Sequence, residues 1–228
     1  MLLIYLEQAT SFHYEIPIAL CETFQLFMIE FGYRMKEKTM KIGHLKNLLL
    51  QRGDTSWHIP FVASITQIVQ PKVYVEIGIY KAATLNAVAK HCDHVIGVDI
   101  NPEAGRFIKA KNAEFVNGDI TDFTNFFGVK NTEIDFAFID GDHRSESVFR
   151  DFVGVDRFAS KNALILFHDT WPENSEDASD GRCSDSYRVP SLIKERTNGE
   201  WASISIPVFP GLTIASRSTA SPAWLQQN

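Results

Sequence analysis

Ile134-Asp135-Phe136-Ala137-Phe138-Ile139-Asp140-Gly141-Asp142-His143 is the stretch that decides the fold. Its first half is apolar enough for a strand buried on both faces, and it stops abruptly at two carboxylates and an imidazole. A second apolar run, Ala163 to Phe167, ends the same way, in His168-Asp169. In a parallel α/β sheet, ligands bind outside the carboxyl ends of the strands. Two strands that each release Asp and His at that edge describe one composite site.

Around these runs the pattern is regular. Helical spacing covers Trp57 to Gln70, Ala82 to Ala89, Pro102 to Ala110, Phe123 to Phe127, Ser145 to Phe158 and Val189 to Arg196. Strand patterns cover Val73 to Ile77, Val95 to Val98, Ala113 to Val116, Trp201 to Ile206 and Leu212 to Ala215. Strands alternating with helices predict a mostly parallel sheet with helices on both faces. The last two strands are joined through Pro207 to Gly211, a hairpin length, so they should run antiparallel. We place a helical N-terminal extension at residues 1–52 and the main domain at residues 53–228.

Bulk properties narrow the function. A hydrophobic content of 45% supports a full core, and a net charge of −6 gives no global reason to expect nucleic acid. Cys21, Cys92 and Cys183 are far apart and form no Cys-x-x-Cys pair, so neither a zinc knuckle nor a disulfide framework is indicated. A cytoplasmic setting fits best. Near the N-terminus, Glu7, Glu15, Glu22 and Glu30 interrupt the apolar residues, leaving no uncharged run of about 18 residues to span a bilayer. No basic region precedes the first apolar run, which argues against a secretory signal. Leu20, Phe24, Phe27, Met28 and Phe31 recur at helical spacing, as expected for a helix packed on the domain or on a second copy of the chain. Translation starting at Met35 or Met40 is another reading of this end. The basic run from Arg34 to Arg52 reads first as a solvated helix face, and second as an attractor of anionic ligands.

The other strand ends also carry signals. Gly78, after Val75-Glu76-Ile77, permits a tight turn and close ligand approach, and the helix that follows presents free N–H groups. Asp99 ends the second strand, about twenty residues on, where a carboxylate can accept both hydroxyls of a ribose. Asn101 suits the cap of the next helix better than Asp99 does. Asn117-Gly118-Asp119 ends the third strand, and plain turn chemistry explains it equally well. His143, three residues past Asp140, is the candidate general base, with Asp142 or Asp169 to fix its tautomer. The competing reading is that His143 caps the helix starting at Ser145.

This order of motifs resembles the class I S-adenosylmethionine-dependent methyltransferases. Within them it is similar to the small-molecule O-methyltransferases with an Asp-Gly-x-His motif after the fourth strand, a group that includes sugar and macrolide O-methyltransferases and cephalosporin hydroxylase-like proteins. The resemblance covers Trp57 to Arg217 and implies a Rossmann-like, doubly wound sheet of seven strands with an antiparallel terminal hairpin. It implies S-adenosylmethionine as cofactor, with Glu76, Gly78, Tyr80, Asp99, Gly118, Asp119 and Asp140 around it. Tyr80 and Ala82 stand where the family has further glycines. It implies transfer to a hydroxyl of a small molecule, with His143, Asp140 and Asp169 as catalytic residues. It also implies a divalent metal site at Asp140, His168 and Asp169, although His168 stands where an acid is usual; metal-assisted and metal-free readings both stay open. Two rival classes remain, a nicotinamide-dependent oxidoreductase and a non-catalytic cofactor-binding protein. The polar, acidic stretch Pro172 to Arg182, beside His168 and Asp169, is expected to be a substrate lid.

Overall fold

The computed structural model describes residues 56–218. The extension expected at residues 1–52, with the apolar residues at helical spacing and the basic run, lies outside them. Seven strands form one sheet: β1 (Val73–Ile77), β2 (His94–Asp99), β3 (Ala113–Asn117), β4 (Ile134–Ile139), β5 (Ala159–His168), β6 (Trp201–Ile206) and β7 (Leu212–Arg217). Their spatial order is β3-β2-β1-β4-β5-β7-β6. The first five are parallel, and β7 pairs antiparallel with both β5 and β6. The strand order reverses direction between β1 and β4, the kind of point at which an open α/β sheet forms its ligand crevice.

The helices are α1 (His58–Val69), α2 (Ala83–Val88), α3 (Ile120–Phe127), α4 (Ser145–Asp156) and α5 (Val189–Arg196). Alternation along β4 explains how they cover both faces. Phe136 and Phe138 enter one core with Trp57, which precedes α1, Phe61 and Ile65 of α1, and Leu85 of α2. Ala137 and Ile139 enter the other with Phe123, Phe127 and Phe152 from α3 and α4. Both cores exclude water, so strand ends stay fixed while the loops beyond them carry polar groups. Among the described residues, no helix is long and apolar enough to cross a membrane.

Three elements differ from the sequence expectation. Strand β5 begins at Ala159 rather than Ala163, and its register against β4 shifts between Ile134 and Phe136. Pro102 to Ala110 is not an α-helix but a 3₁₀ segment, Pro102–Phe107, capped by Asn101, whose Oδ1 accepts from the Glu103 N–H. Gly105 within it lies so close to Phe115 that a Cβ would stand 2.7 Å from the ring's Cδ1. Helix α3 begins at Ile120, three residues before Phe123, because Asp119 and Asp122 form a reciprocal capping box.

Candidate active site

Gly78 joins the strand ends. Its φ is +86°, and an added Cβ would lie 2.5 Å from the Gly141 Cα, so the β1 and β4 loops meet where only glycine fits. Tyr80, also at positive φ, donates its backbone N–H to Asp99 Oδ2 at 2.8 Å, and Asn101 N–H donates to Oδ1 at 2.8 Å. Asp99 is thus aimed by the loop after Gly78. Asn117 Nδ2 and Gly118 N–H both donate to the Asp99 carbonyl, which ties the β3 end to the β2 end. Asp119 has another task. Its carboxylate accepts from Thr121 and Asp122 N–H as the α3 cap, and those bonds, acting against burial, hold it below the usual carboxylate range. The turn reading of Asn117-Gly118-Asp119 therefore describes its side-chain bonds, while the Gly118 backbone stays beside Asp99.

Glu76 is buried in β1 beneath this loop and accepts a 2.8 Å hydrogen bond from the Tyr74 hydroxyl. Burial pushes it up to about 8, with Asp140 adding to the rise and Tyr74 partly offsetting it. Sequence reasoning missed Tyr74, although its spacing of two along a strand places it on the same face as Glu76.

The ends of β4 and β5 bring Asp140, His143, His168 and Asp169 together. His143 Nε2 lies 3.0 Å from Asp169 Oδ2 and 3.9 Å from Asp140 Oδ1. His168 Nδ1 lies 2.9 Å from Asp140 Oδ1 and 3.2 Å from Asp169 Oδ2. Burial alone would push His168 down, but the two carboxylates outweigh it and hold the ring up at about 10. In turn, His168 and then His143 outweigh the burial of Asp169 and lower it. A ring that donates from Nδ1 to both acids has no lone pair there for a metal, and its buried Nε2 has no hydrogen-bond partner among the described residues. The His168 ring also packs on His58 of α1, with centroids 4.1 Å apart.

The atoms that converge on a single point belong instead to Asp140, His143 and Asp169, all within 4.8 Å of one another. This differs from the expected trio by His143 in place of His168. His143 Nδ1 is hydrogen-bonded to the Arg182 carbonyl, which leaves Nε2 facing the acids. Two carboxylates and an imidazole nitrogen with a free lone pair fit a divalent cation. The carbonyl, rather than Asp142 or Asp169, occupies Nδ1. Asp142 is engaged by Arg144, with Nε at 2.9 Å from Oδ2. Nor does His143 cap α4: the Ser145 N–H and hydroxyl donate to Asp185, at 2.7 and 2.8 Å. No side-chain signal in the sequence marks Arg182, because the interacting group is backbone.

The stretch expected as a lid is held by its own bonds. Asp177 is buried within it and Cys183 just after it, and the Arg182 guanidinium spans Asp177 and Glu176 at 2.9 Å each. Beside it, Thr170, Trp171, Pro172, Tyr187, Pro190 and Ser205 line an open hollow of about 380 Å³. Trp171 and Tyr187 remain about half exposed there.

The comparisons agree with this geometry. A family model described as a methyltransferase domain matches residues 75–170, the span from β1 to the end of the β5 site. No curated protein matches the chain in sequence. Among solved structures, an O-methyltransferase from Bacillus cereus in complex with S-adenosylhomocysteine aligns over 94% of this chain and 96% of its own, at 12% identity and TM-score 0.58. The O-methyltransferase TomG from Streptomyces achromogenes, in complex with S-adenosylmethionine, aligns over 95% of each chain at 10% identity and TM-score 0.57. The methyltransferase PaMTH1 from Podospora anserina aligns over 93% of this chain and 99% of its own, at 12% identity and TM-score 0.58. At these identities the likeness is one of architecture, and the family model adds the reaction class. Within the chain, then, residues 75–170 are similar to a methyltransferase domain, and the sheet around them has the architecture of the solved methyltransferases.

Proposed function

We propose that the protein methylates a hydroxyl group of a small molecule, with His143 as the general base. The observation that carries this reading is the environment of His143: Nδ1 on a carbonyl, Nε2 pointing at Asp169 and Asp140 beyond the ends of β4 and β5. S-adenosylmethionine supplies a methyl group already activated by its sulfonium. Gly78 permits close approach of the cofactor's methionine portion, above the buried Glu76. Asp99 accepts the ribose hydroxyls with the lone pairs left by its two backbone bonds. Tyr80 and Ile100, both largely exposed beside Asp99, offer apolar surface to the adenosine, and the Gly118 backbone borders it.

On the acceptor side, Nε2 of His143 takes the hydroxyl proton as the oxygen attacks the methyl carbon, and the electrons of the carbon–sulfur bond return to sulfur. Asp169 then faces the new N–H, and the imidazolium satisfies both its neighbours. His168 holds Asp140 and Asp169 in place as a hydrogen-bond donor. The hollow walled by Trp171 and Tyr187 accommodates the apolar body of an acceptor next to Asp169.

A second reading rests on the convergence of Asp140, His143 and Asp169. These three would hold a divalent ion, which would lower the pKa of an acceptor hydroxyl and orient it. The readings exclude each other at one atom, because Nε2 cannot bind an ion and accept a proton together.

The test is calorimetry with S-adenosylhomocysteine and NAD, followed by a radiolabelled methyl-transfer screen over sugars, phenols and hydroxylated natural products. Binding of S-adenosylhomocysteine alone and label in an ether linkage support the proposal. A protein that ignores S-adenosyl ligands at millimolar levels, or prefers NAD, ends it.

A further inference from the structure

The folded loop after β5 meets the His143 ring through a backbone atom, the Arg182 carbonyl. A carbonyl offers only lone pairs, so the His143 Nδ1 beside it must carry the hydrogen. Asp169 Oδ2, 3.0 Å from Nε2, pulls the other way. Next to a carboxylate, a neutral imidazole left to itself would place its one hydrogen on Nε2 and donate it. That tautomer has no lone pair facing the acceptor and cannot take a proton there. The ring is therefore contested, and the position of the carbonyl decides the outcome.

The loop is built to hold that carbonyl still. Arg182 Nη1 donates to Asp177 Oδ1 and Nη2 to Glu176 Oε1, each at 2.9 Å. Asp177 is buried, and its other oxygen accepts from Asn174 Nδ2 at 2.7 Å. Asn174 Oδ1 in turn accepts from the backbone N–H groups of Glu176 and Asp177. The Cys183 N–H closes the turn on the Asp177 carbonyl at 3.0 Å. The same loop is fastened to both halves of the site. The Ser186 hydroxyl donates to the Asp169 carbonyl, and Asp185 accepts from the Ser145 N–H and hydroxyl, two residues past His143. Fastening the loop at both points sets the distance between His143 and Asp169, while the Asp177–Arg182 pair sets the direction of the carbonyl.

We propose that Asn174, Asp177 and Arg182 are positioning residues that fix His143 as the Nδ1–H tautomer, leaving the Nε2 lone pair free for the acceptor's proton. This inference rests on His143 being the base. Its structural core, the tautomer, is measurable without any reaction.

The experiment is nitrogen-15 NMR of histidine-labelled full-length protein at pH 9, with His143→Gln to assign the signal, for the wild type, Asp177→Asn and Arg182→Gln. The wild type should show His143 protonated at Nδ1 alone. Each variant should show the Nε2–H form emerging, with kcat for methyl transfer down about tenfold or more and the S-adenosylhomocysteine Kd within twofold of wild type. Arg182→Lys, which keeps the charge on Asp177, should restore most of both. Should one variant fail to fold, the other carries the comparison. A wild-type ring protonated at Nε2, or at both nitrogens at pH 9, overturns the proposal. So do variants that lose kcat while keeping the Nδ1–H form, because the loop would then act by some other route. If the tautomer shifts as described but no acceptor is ever methylated, the positioning device stands and the proposed function falls.

Discussion

His143 Nε2 and Asp169 Oδ2 lie 3.0 Å apart, although the two residues leave different strands and stand 26 positions apart in the chain (169 − 143). Parallel neighbours β4 and β5 end at the same edge, so the loops beyond them meet there. Removing either partner should therefore separate chemistry from cofactor binding. His143→Ala is expected to lower kcat by roughly 10²–10⁴-fold, the usual contribution of a general base. Affinity for S-adenosylhomocysteine should stay within a few-fold, because Gly78 and Asp99 are untouched. Single-turnover kinetics with calorimetry would check this, and an equal loss of both quantities would contradict the assignment.

Gly78→Ala should fail for two additive reasons. A non-glycine residue at φ +86° is strained by about 1–2 kcal/mol. The new Cβ would also press on the backbone of Asp140 and Gly141, which cannot rotate away as a side chain tip would. We expect a loss of roughly 2–4 kcal/mol of stability, read as a fall in Tm or denaturant midpoint, together with loss of S-adenosylhomocysteine binding. A variant of unchanged Tm would show that the two loops can separate freely.

Much of the frame was legible because strand ends are written in side chains. Val75-Glu76-Ile77-Gly78 and Phe138-Ile139-Asp140-Gly141 switch from apolar to turn chemistry within one residue, and the sheet order then places Gly78, Asp140 and Asp169 at one edge. The start of β5 was hidden because Ser160, Lys161 and Asn162 read as loop while pairing irregularly with β4. The division of labour between the two histidines was also hidden. Spacing alone brings His143 and His168 to the same site, but only side-chain geometry shows that His168 donates to both acids while His143 faces them with Nε2. Arg182 could not be found at all, because every residue carries the same carbonyl.

The convergence of Asp140, His143 and Asp169 makes the metal question measurable. Added Mn²⁺, followed by calorimetry, should bind at least ~10-fold more weakly to Asp140→Asn and Asp169→Asn than to wild type, since each loses an anionic oxygen ligand. His143→Ala discriminates between the two roles of Nε2. Retained Mn²⁺ affinity with lost transfer assigns the imidazole to proton removal, whereas loss of affinity assigns it to the ion.

Asp151 offers a test of the fold beneath the site. It lies on the inner face of α4, 8% exposed, and a Cβ at Gly141 would stand 3.8 Å from its Oδ2. Burial lifts its carboxyl from 3.8 to about 7, with Arg150 opposing and Asp142 and Asp119 adding to the rise. Between those two values the folded state keeps a proton that the unfolded chain has released. Stability must then fall as pH rises from about 4 to about 7, and level off above. A tenfold change in proton affinity corresponds to about 1.4 kcal/mol, so the full window is worth on the order of 4 kcal/mol as an upper bound. Asp151→Asn removes the ionisable group while keeping the shape of the neutral acid. The variant should match wild type near pH 4 and exceed it in urea midpoint at pH 8. Parallel midpoint-versus-pH curves for the two proteins would mean that Asp151 ionises in place without cost, through water or a movement of α4 that relieves its burial.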